Sequence, residues 1–492
     1  MTEDVVLTAD STLMSDYRHN EFLGFGTCAP SNFVPDFMFR RMFFPPIKTE
    51  EGRATSAPYG LRIVEAQLLK EGFNVTTVTP EHIGRYVSNA KALGIHVMDP
   101  FGLGPASSTL ASILAKEPFL AQYFRRLFEL PAVREAKKRG MKIIVGGPGV
   151  WQLHYRPNFI EKYGVDCIIE GEAEKVVGKI FKAAVNSEEL PKTYEVSVGE
   201  SPRIEEIPNI VNPSVNGLVE IGRGCCRGCS FCSVTLRPLR WFPIERIMKD
   251  VEVNLAAGIN GVILHEDDVM LYGSKNTIPD DAKLLNLHET VMKKCDGMTW
   301  SHCSLAAVAA KPQLFSKVSQ VIRQKQDWWG VEIGLETGSA ELAKKMMPAK
   351  ATPFRPDDWP EVARTGLGLM HDNMLVPAAT LIVGVPEETE DDVLKTMELI
   401  DDVKDCRSLI VPLYFVPMGR LKEEDWFMNA KVSKAQEDLM VKCLEHDFRW
   451  IDDLLKMSFS EGWKGHVIRP LFKLFAGLAK YKIKQAGVKA NI

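Results

Sequence analysis

Nowhere in this 492-residue chain is there an apolar run long enough to cross a bilayer. The longest, MLVPAATLIVGVP from Met374, stops well short, so no transmembrane segment is expected. Charge of one sign is not in excess: 60 Lys and Arg against 64 Asp and Glu leave a formal net charge of −4. Without a basic field, nucleic acid is not an expected partner. The opening MTEDVVLTADSTLMSDY lacks the basic residues and long apolar stretch of a secretory signal. A cytoplasmic protein with mostly reduced cysteines is therefore expected. Internal repeats and low-complexity tracts are missing too. The remaining composition, 45% hydrophobic and 25% charged, is that of a globular protein with room for two or three domains.

The type of periodicity divides the chain into regions. In the first, short β-branched runs alternate with helical stretches: VVLT (5–8), NVTTVT (74–79), GIHVMD (94–99), KIIVGG (142–147) and DCIIEGE (166–172). Strands apolar along their whole length, separated by helices, predict a parallel sheet covered on both faces, the doubly wound α/β architecture. Ligands of such sheets bind at the carboxyl ends of the strands. The glycine-rich turns DPFGLGP (99–105) and VGGPG (145–149) fall there, so Gly102, Gly104, Gly146 and Gly147 either admit a large cofactor to the backbone or simply make tight turns. The stretch 198–217, rich in proline, asparagine and acidic residues, reads as an interdomain connection. Six further strand-like runs follow, GLVEIG, GVILHEDD, MTWSHCSL, GVEIGLETG, ATLIVGVPEET and LIVPLYFVP, fewer than a closed barrel needs. From about residue 430 the pattern is helical and ends in the basic amphipathic RPLFKLFAGLAKYKIKQAGVKA, either a helix packed on the barrel or a contact for a partner or membrane surface. The expected domains are 1–200, doubly wound; 201–430, a partial (β/α)6 barrel; and 431–492, helical.

Cysteine is concentrated in one place. EIGRGCCRGCSFCSV (220–234) holds four cysteines within eight positions, just after the first strand of the second region. Barrel enzymes keep their chemistry on such carboxyl-end loops. Thiolates suit zinc and iron-sulfur clusters alike, but structural zinc wants four protein ligands, commonly as two pairs, and no second pair follows. Cys225, Cys229 and Cys232, as C-x3-C-x2-C, would leave one iron of a four-iron cluster open to a substrate or cofactor. Cys226 points away from its neighbour on an extended loop and is read as a packing residue.

These residues resemble the signature of the radical S-adenosylmethionine (SAM) enzymes. EIGLETGS (332–339) is similar to that family's fourth-strand segment, and TLIVGVPEETEDD (380–392) to its fifth-strand glycine motif. The resemblance implies a 4Fe-4S cluster on Cys225, Cys229 and Cys232, the catalytic centre, with SAM on the open iron. It also places Phe231 and Ser233 near adenine, Glu336 near ribose and Gly384 where backbone must approach SAM. Within HEDD (265–268), Glu266, Asp267 and Asp268 are candidates to reach SAM or to cap a helix. IIVGGPG followed by GVDCIIEGEAEKV looks like the closing segments of a cobalamin-binding domain, adding Glu170 and Gly171 to the cofactor-binding candidates. No D-x-H-x-x-G motif occurs, which implies cobalamin without a protein imidazole on its lower face; His154 is near enough to consider, or is satisfied by local hydrogen bonds. By resemblance to cobalamin-dependent radical SAM enzymes of the class B methyltransferase type, methylation of an unactivated carbon through methylcobalamin is expected, with oxidative cyclisation or rearrangement of a lipid or tetrapyrrole as the alternative. Ferredoxin or flavodoxin would supply electrons. One archaeal subgroup, in methanogens, methylates a glutamine of methyl-coenzyme M reductase; a lipid or small molecule is an equal candidate. The aromatic stretch 9–58 is expected to be a lid, a channel wall or a packing cluster.

Overall fold

The apolar run Val5–Ala9 forms the first strand, β1, fully buried along its length. Val75–Thr77 (β2), Ala92–His96 (β3), Lys142–Gly146 (β4), Cys167–Glu170 (β5) and Thr193–Glu195 (β6) complete a six-stranded parallel sheet in the order β2-β1-β3-β4-β5-β6. The computed structural model describes residues 4–17, 21–31, 35–114 and 116–458. Alternate residues of the central strands feed two cores, Val6, Leu93, Ile95 and Val145 on one face and Val5, Leu7, Ala92 and Ile144 on the other. Burial on both faces is why these strands read as continuous apolar runs. Periodicity overlooks β6 because Thr193–Glu195 is a half-exposed edge strand with no core face to declare it.

Two units are distinguishable, the first comprising the chain up to Gly224 with Arg237–His265 and Lys293–Met298, the second Cys225–Leu236, Glu266–Met292 and the chain from Thr299. Within the first, the stretch 9–58 holds the helix Asp36–Phe43, whose Phe39 stacks on Phe119 at 4.5 Å, while Phe44 meets Tyr123 edge-on at 5.5 Å. Of the expected roles, the one visible here is a packing cluster against the helix Phe119–Glu129. The connecting stretch 198–217 is also anchored. Buried Arg62, paired with Glu65, donates to the Pro213 carbonyl at 2.9 Å, and Asn212 donates to Glu65.

Leu218–Glu220 (β7) and Gly261–His265 (β8) pair in parallel. Gly297–Trp300 (β9) follows, then the second unit's parallel sheet of His302–Cys303 (β10), Trp329–Glu336 (β11), Leu375–Val383 (β12) and Leu409–Tyr414 (β13). All six expected runs are strands, the third broken into β9 and β10, and helices intervene as in a partial (β/α)6 barrel. The C-terminal region is the helix Lys434–Ser458, where His446 meets the Ser408 hydroxyl at 2.9 Å and Asp447 accepts the Ile410 amide at 2.7 Å. The basic stretch 469–490 lies outside the described residues. No helix among them is long and apolar enough to cross a membrane.

Candidate functional site

The cysteine loop leaves β7 through two glycines with positive φ, Gly224 (+87°) and Gly228 (+68°). A Cβ at Gly224 would sit 2.6 Å from the Pro238 carbonyl, so the neck of the loop closes only around glycine. Between the second and third cysteines stands Arg227, 3% exposed, which sequence reasoning passed over. Its guanidinium reaches Asp268 at 3.0 Å, the Ser304 hydroxyl at 2.6 Å and the carbonyls of Lys350 and Thr352 at 2.8 and 3.0 Å. A planar fork with five donors suits four such acceptors. Ser230 adds a second strap, bonding the Met346 carbonyl at 2.9 Å and accepting the Arg420 amide at 2.8 Å.

Held in this way, Cys229 is buried, Cys225 and Cys232 are partly so, and Cys226 is exposed. Cys226, expected as a packing residue, is the exposed one of the four, although burial still pushes its thiol up. Burial pushes the thiols of Cys225, Cys229 and Cys232 above the ordinary cysteine range. Among the described residues no three His, Cys, Asp or Glu converge as ligands of one metal ion, as a structural zinc would require. A 4Fe-4S cluster takes one thiolate per iron, so its ligands need no common point.

Opposite Cys229, β11 ends in strain. Glu336 has φ of +62°, and the pairing with β12 shifts register between Gly334 and Glu336. A non-glycine residue in this region costs on the order of 1–3 kcal/mol and marks functional sites. The Glu336 carboxylate pairs with buried Lys350, whose ammonium also lies 5.9 Å from the centre of the Phe231 ring. Burial is the largest influence and opposes the Lys350 charge, but Glu336 together with the nearby Cys229 and Cys232 thiols outweighs it and the pKa is raised. Gly334 makes the room, since a Cβ there would fall 1.9 Å from Glu336 Oε1 and 2.2 Å from Lys350 Nζ.

Other expected contacts are already occupied by the protein. Asp268 accepts from Arg227 and from both the amide and hydroxyl of Ser304, so it braces the loop from beneath. Glu266 accepts the Asp268 amide at 2.5 Å, and neither caps the short helix that follows by its side chain. At Gly384 (φ +81°) the Phe427 ring fills the place of a side chain, 2.0 Å from a Cβ position; the glycine admits this ring. Ser233 is exposed beside the partly buried Phe231. In the first unit, Asp99 bonds the Gly104 amide and Gln152, while Pro118 abuts Gly102 and Val196 abuts Gly171. Those three glycines make tight turns. Glu170 meets His154 at 2.9 Å, so His154 is locally satisfied. Gly147 has φ of +117°, and Gly146 has the least crowded Cβ position of this group, in ordinary contact at 3.9 Å with the Ile169 carbonyl.

That contrast is testable. Gly334→Ala is expected to lower the thermal midpoint by a destabilisation of about 1–3 kcal/mol, because the Cβ must displace the ends of a buried ion pair. Gly146→Ala should leave the midpoint unchanged or raise it slightly, since an uncrowded strand position loses only glycine's excess entropy. Calorimetry on the two variants compares them directly.

Facing away from the core, His302 and Glu332 are register partners on β10 and β11 with nitrogen and carboxylate 3.3 Å apart. They leave an ion-pairing group on the strand that carries Gly334 and Glu336.

Residues 219–400 match the sequence profile of the Radical SAM superfamily. A tRNA-2-methylthio-N(6)-dimethylallyladenosine synthase of Fusobacterium nucleatum is 26% identical over 305 residues, covering 60% of this chain and 64% of that protein. The ribosomal protein uS12 methylthiotransferase RimO of Clostridioides difficile is 23% identical over 278 residues, 55% of this chain and 59% of its own. The chain thus spans less than two thirds of either relative's length. The solved structure of the radical S-adenosylmethionine methyltransferase TsrM from Kitasatospora setae, with cobalamin and a [4Fe-4S] cluster bound, matches with a TM-score of 0.55 at 15% identity, covering 85% of this chain and 77% of that one. The likeness is one of fold.

Proposed function

With residues 219–400 forming a radical SAM domain, we propose that this protein is a cobalamin-dependent radical SAM methyltransferase acting on an unactivated carbon. The observation that carries this reading is the strapped loop that holds Cys225, Cys229 and Cys232, with Cys229 near the Glu336–Lys350 pair, on a fold similar to that of a cobalamin- and cluster-containing methyltransferase. When bound, the 4Fe-4S cluster, SAM and cobalamin would supply reductive cleavage of SAM and a methyl group. The chain supplies position. Cys225, Cys229 and Cys232 hold the iron, Arg227 and Ser230 keep the loop in place, and Gly146 leaves the carboxyl edge of the first sheet open to a corrinoid. Lys350 offers a fixed positive charge, and Glu336 a strained carboxylate, to the polar groups of SAM. A ferredoxin or flavodoxin is the electron donor, and the cytoplasm the setting.

The test is how SAM is spent. Reconstituted, reduced holoenzyme is incubated with methyl-labelled SAM and, in separate arms, with methyl-coenzyme M reductase lacking the modification, a lipid extract and a small-metabolite extract. One arm should yield carbon-labelled product by mass spectrometry, with 5'-deoxyadenosine and S-adenosylhomocysteine rising together near one to one. Product accompanied by 5'-deoxyadenosine but by neither S-adenosylhomocysteine nor label would replace this reading with the cyclase one.

A further inference from the structure

His96 ends β3, the strand at which the order of the first sheet reverses. In open α/β sheets such a switch point, at the carboxyl ends, is where ligands bind. The register partners of His96 are Ala9 on β1 and Gly146 on β4, so neither flanking strand carries more than a methyl there. Two more glycines close the surround. A Cβ on Gly60, in the first turn of the helix Tyr59–Lys70, would lie 3.3 Å from His96 Cε1, and one on Gly147 would lie 2.9 Å from Nδ1. A single imidazole therefore stands among four residues with almost no side chain.

The ring is partly buried and bonds to no described residue. Buried polar groups are almost always partnered; one that is not, at a switch point and within reach of solvent, is suited to a partner from outside the chain. The end of β1 offers no competing imidazole. Where D-x-H-x-x-G would set its histidine, this chain has Asp10-Ser11-Thr12, with the Asp10 carboxylate bound to the Thr12 amide and hydroxyl.

Resting on the reading that the first domain binds cobalamin, we infer that His96, reaching the carboxyl edge from β3, is a nitrogen ligand to the corrinoid cobalt. The bond is donation of the ring's lone pair to the metal; the other ring nitrogen keeps its hydrogen, and no proton or electron is exchanged. This differs from the expectation, drawn from the missing motif, of cobalt without a protein imidazole: the donor would come from a different strand.

The experiment is electron paramagnetic resonance of full-length protein loaded with cobinamide, which lacks the dimethylbenzimidazole base, and reduced to the cobalt(II) state. Wild-type protein should split each cobalt hyperfine line into a triplet, from one 14N nucleus. Protein grown on 15N-histidine should give doublets, and His96→Ala should lose the splitting. The isotope experiment needs no variant, so a folding defect in His96→Ala does not obscure the result. Bound corrinoid without splitting, or a triplet unaffected by 15N-histidine, overturns the assignment while leaving the cofactor reading in place. Wild-type protein that retains neither cobinamide nor cobalamin overturns the cofactor reading, and the ligand with it.

Discussion

Replacing Cys225, Cys229 or Cys232 by Ala, one at a time, is expected to remove the broad visible absorption of anaerobically reconstituted protein and to drop SAM cleavage to background. Each thiolate holds its own iron, and with the fourth iron reserved for substrate or cofactor no spare protein ligand exists to compensate. Cys226 is not expected to substitute, because it is the exposed one of the four. Cys226→Ala should therefore keep both absorption and cleavage near wild type. Iron determination, the visible spectrum and 5'-deoxyadenosine release measure all four variants together. Full iron content and cleavage in Cys229→Ala would sink the assignment.

Arg227→Ala should have the second largest effect, on stability and on iron content at once. The side chain is 3% exposed and its ion pair with Asp268 is buried on both sides. Removing one partner strands the other's charge, at a cost of about 3–5 kcal/mol. For a unit of this size that corresponds to a fall of roughly 6–20 °C in thermal midpoint. Arg227→Lys should recover only part of this, since an ammonium keeps the charge but cannot span Asp268, Ser304 and two carbonyls from one position. Iron incorporation should fall in parallel, because the same side chain fixes the segment between Cys226 and Cys229. An Arg227→Ala protein that melts at the wild-type temperature and binds iron normally would show that the loop is held by Ser230 and its neighbours alone.

The parts of the site that are local in sequence were legible. The three cysteines fall within eight consecutive positions, and that spacing confines them to one loop whatever the rest of the chain does. The strands were legible because burial on both faces demands apolar residues throughout, as in Val5–Ala9 and Ala92–His96. Lys350 was not, since fourteen positions separate it from Glu336 and nothing in the surrounding MMPAKATP indicates that its ammonium is buried. Asp268 and Gly384 were legible as unusual residues, but not which protein groups they meet. An acid at a strand end and a glycine with positive φ each announce a close contact without saying whether a cofactor or the protein itself provides it. Here Arg227 and Phe427 do.

Local chemistry and period, carried by the chain itself, determined an α/β protein with a doubly wound first half, parallel strands alternating with helices in the second, and one thiol-rich loop at a strand's carboxyl end. Tertiary structure decided which charged residues meet. Arg227 finds Asp268 across 41 positions and Ser304 across 77, and His96 stands clear of side chains only because β1 and β4 align Ala9 and Gly146 beside it. Such pairings are set by sheet order and register, which depend on the packing of distant apolar faces. No short stretch of the chain contains them.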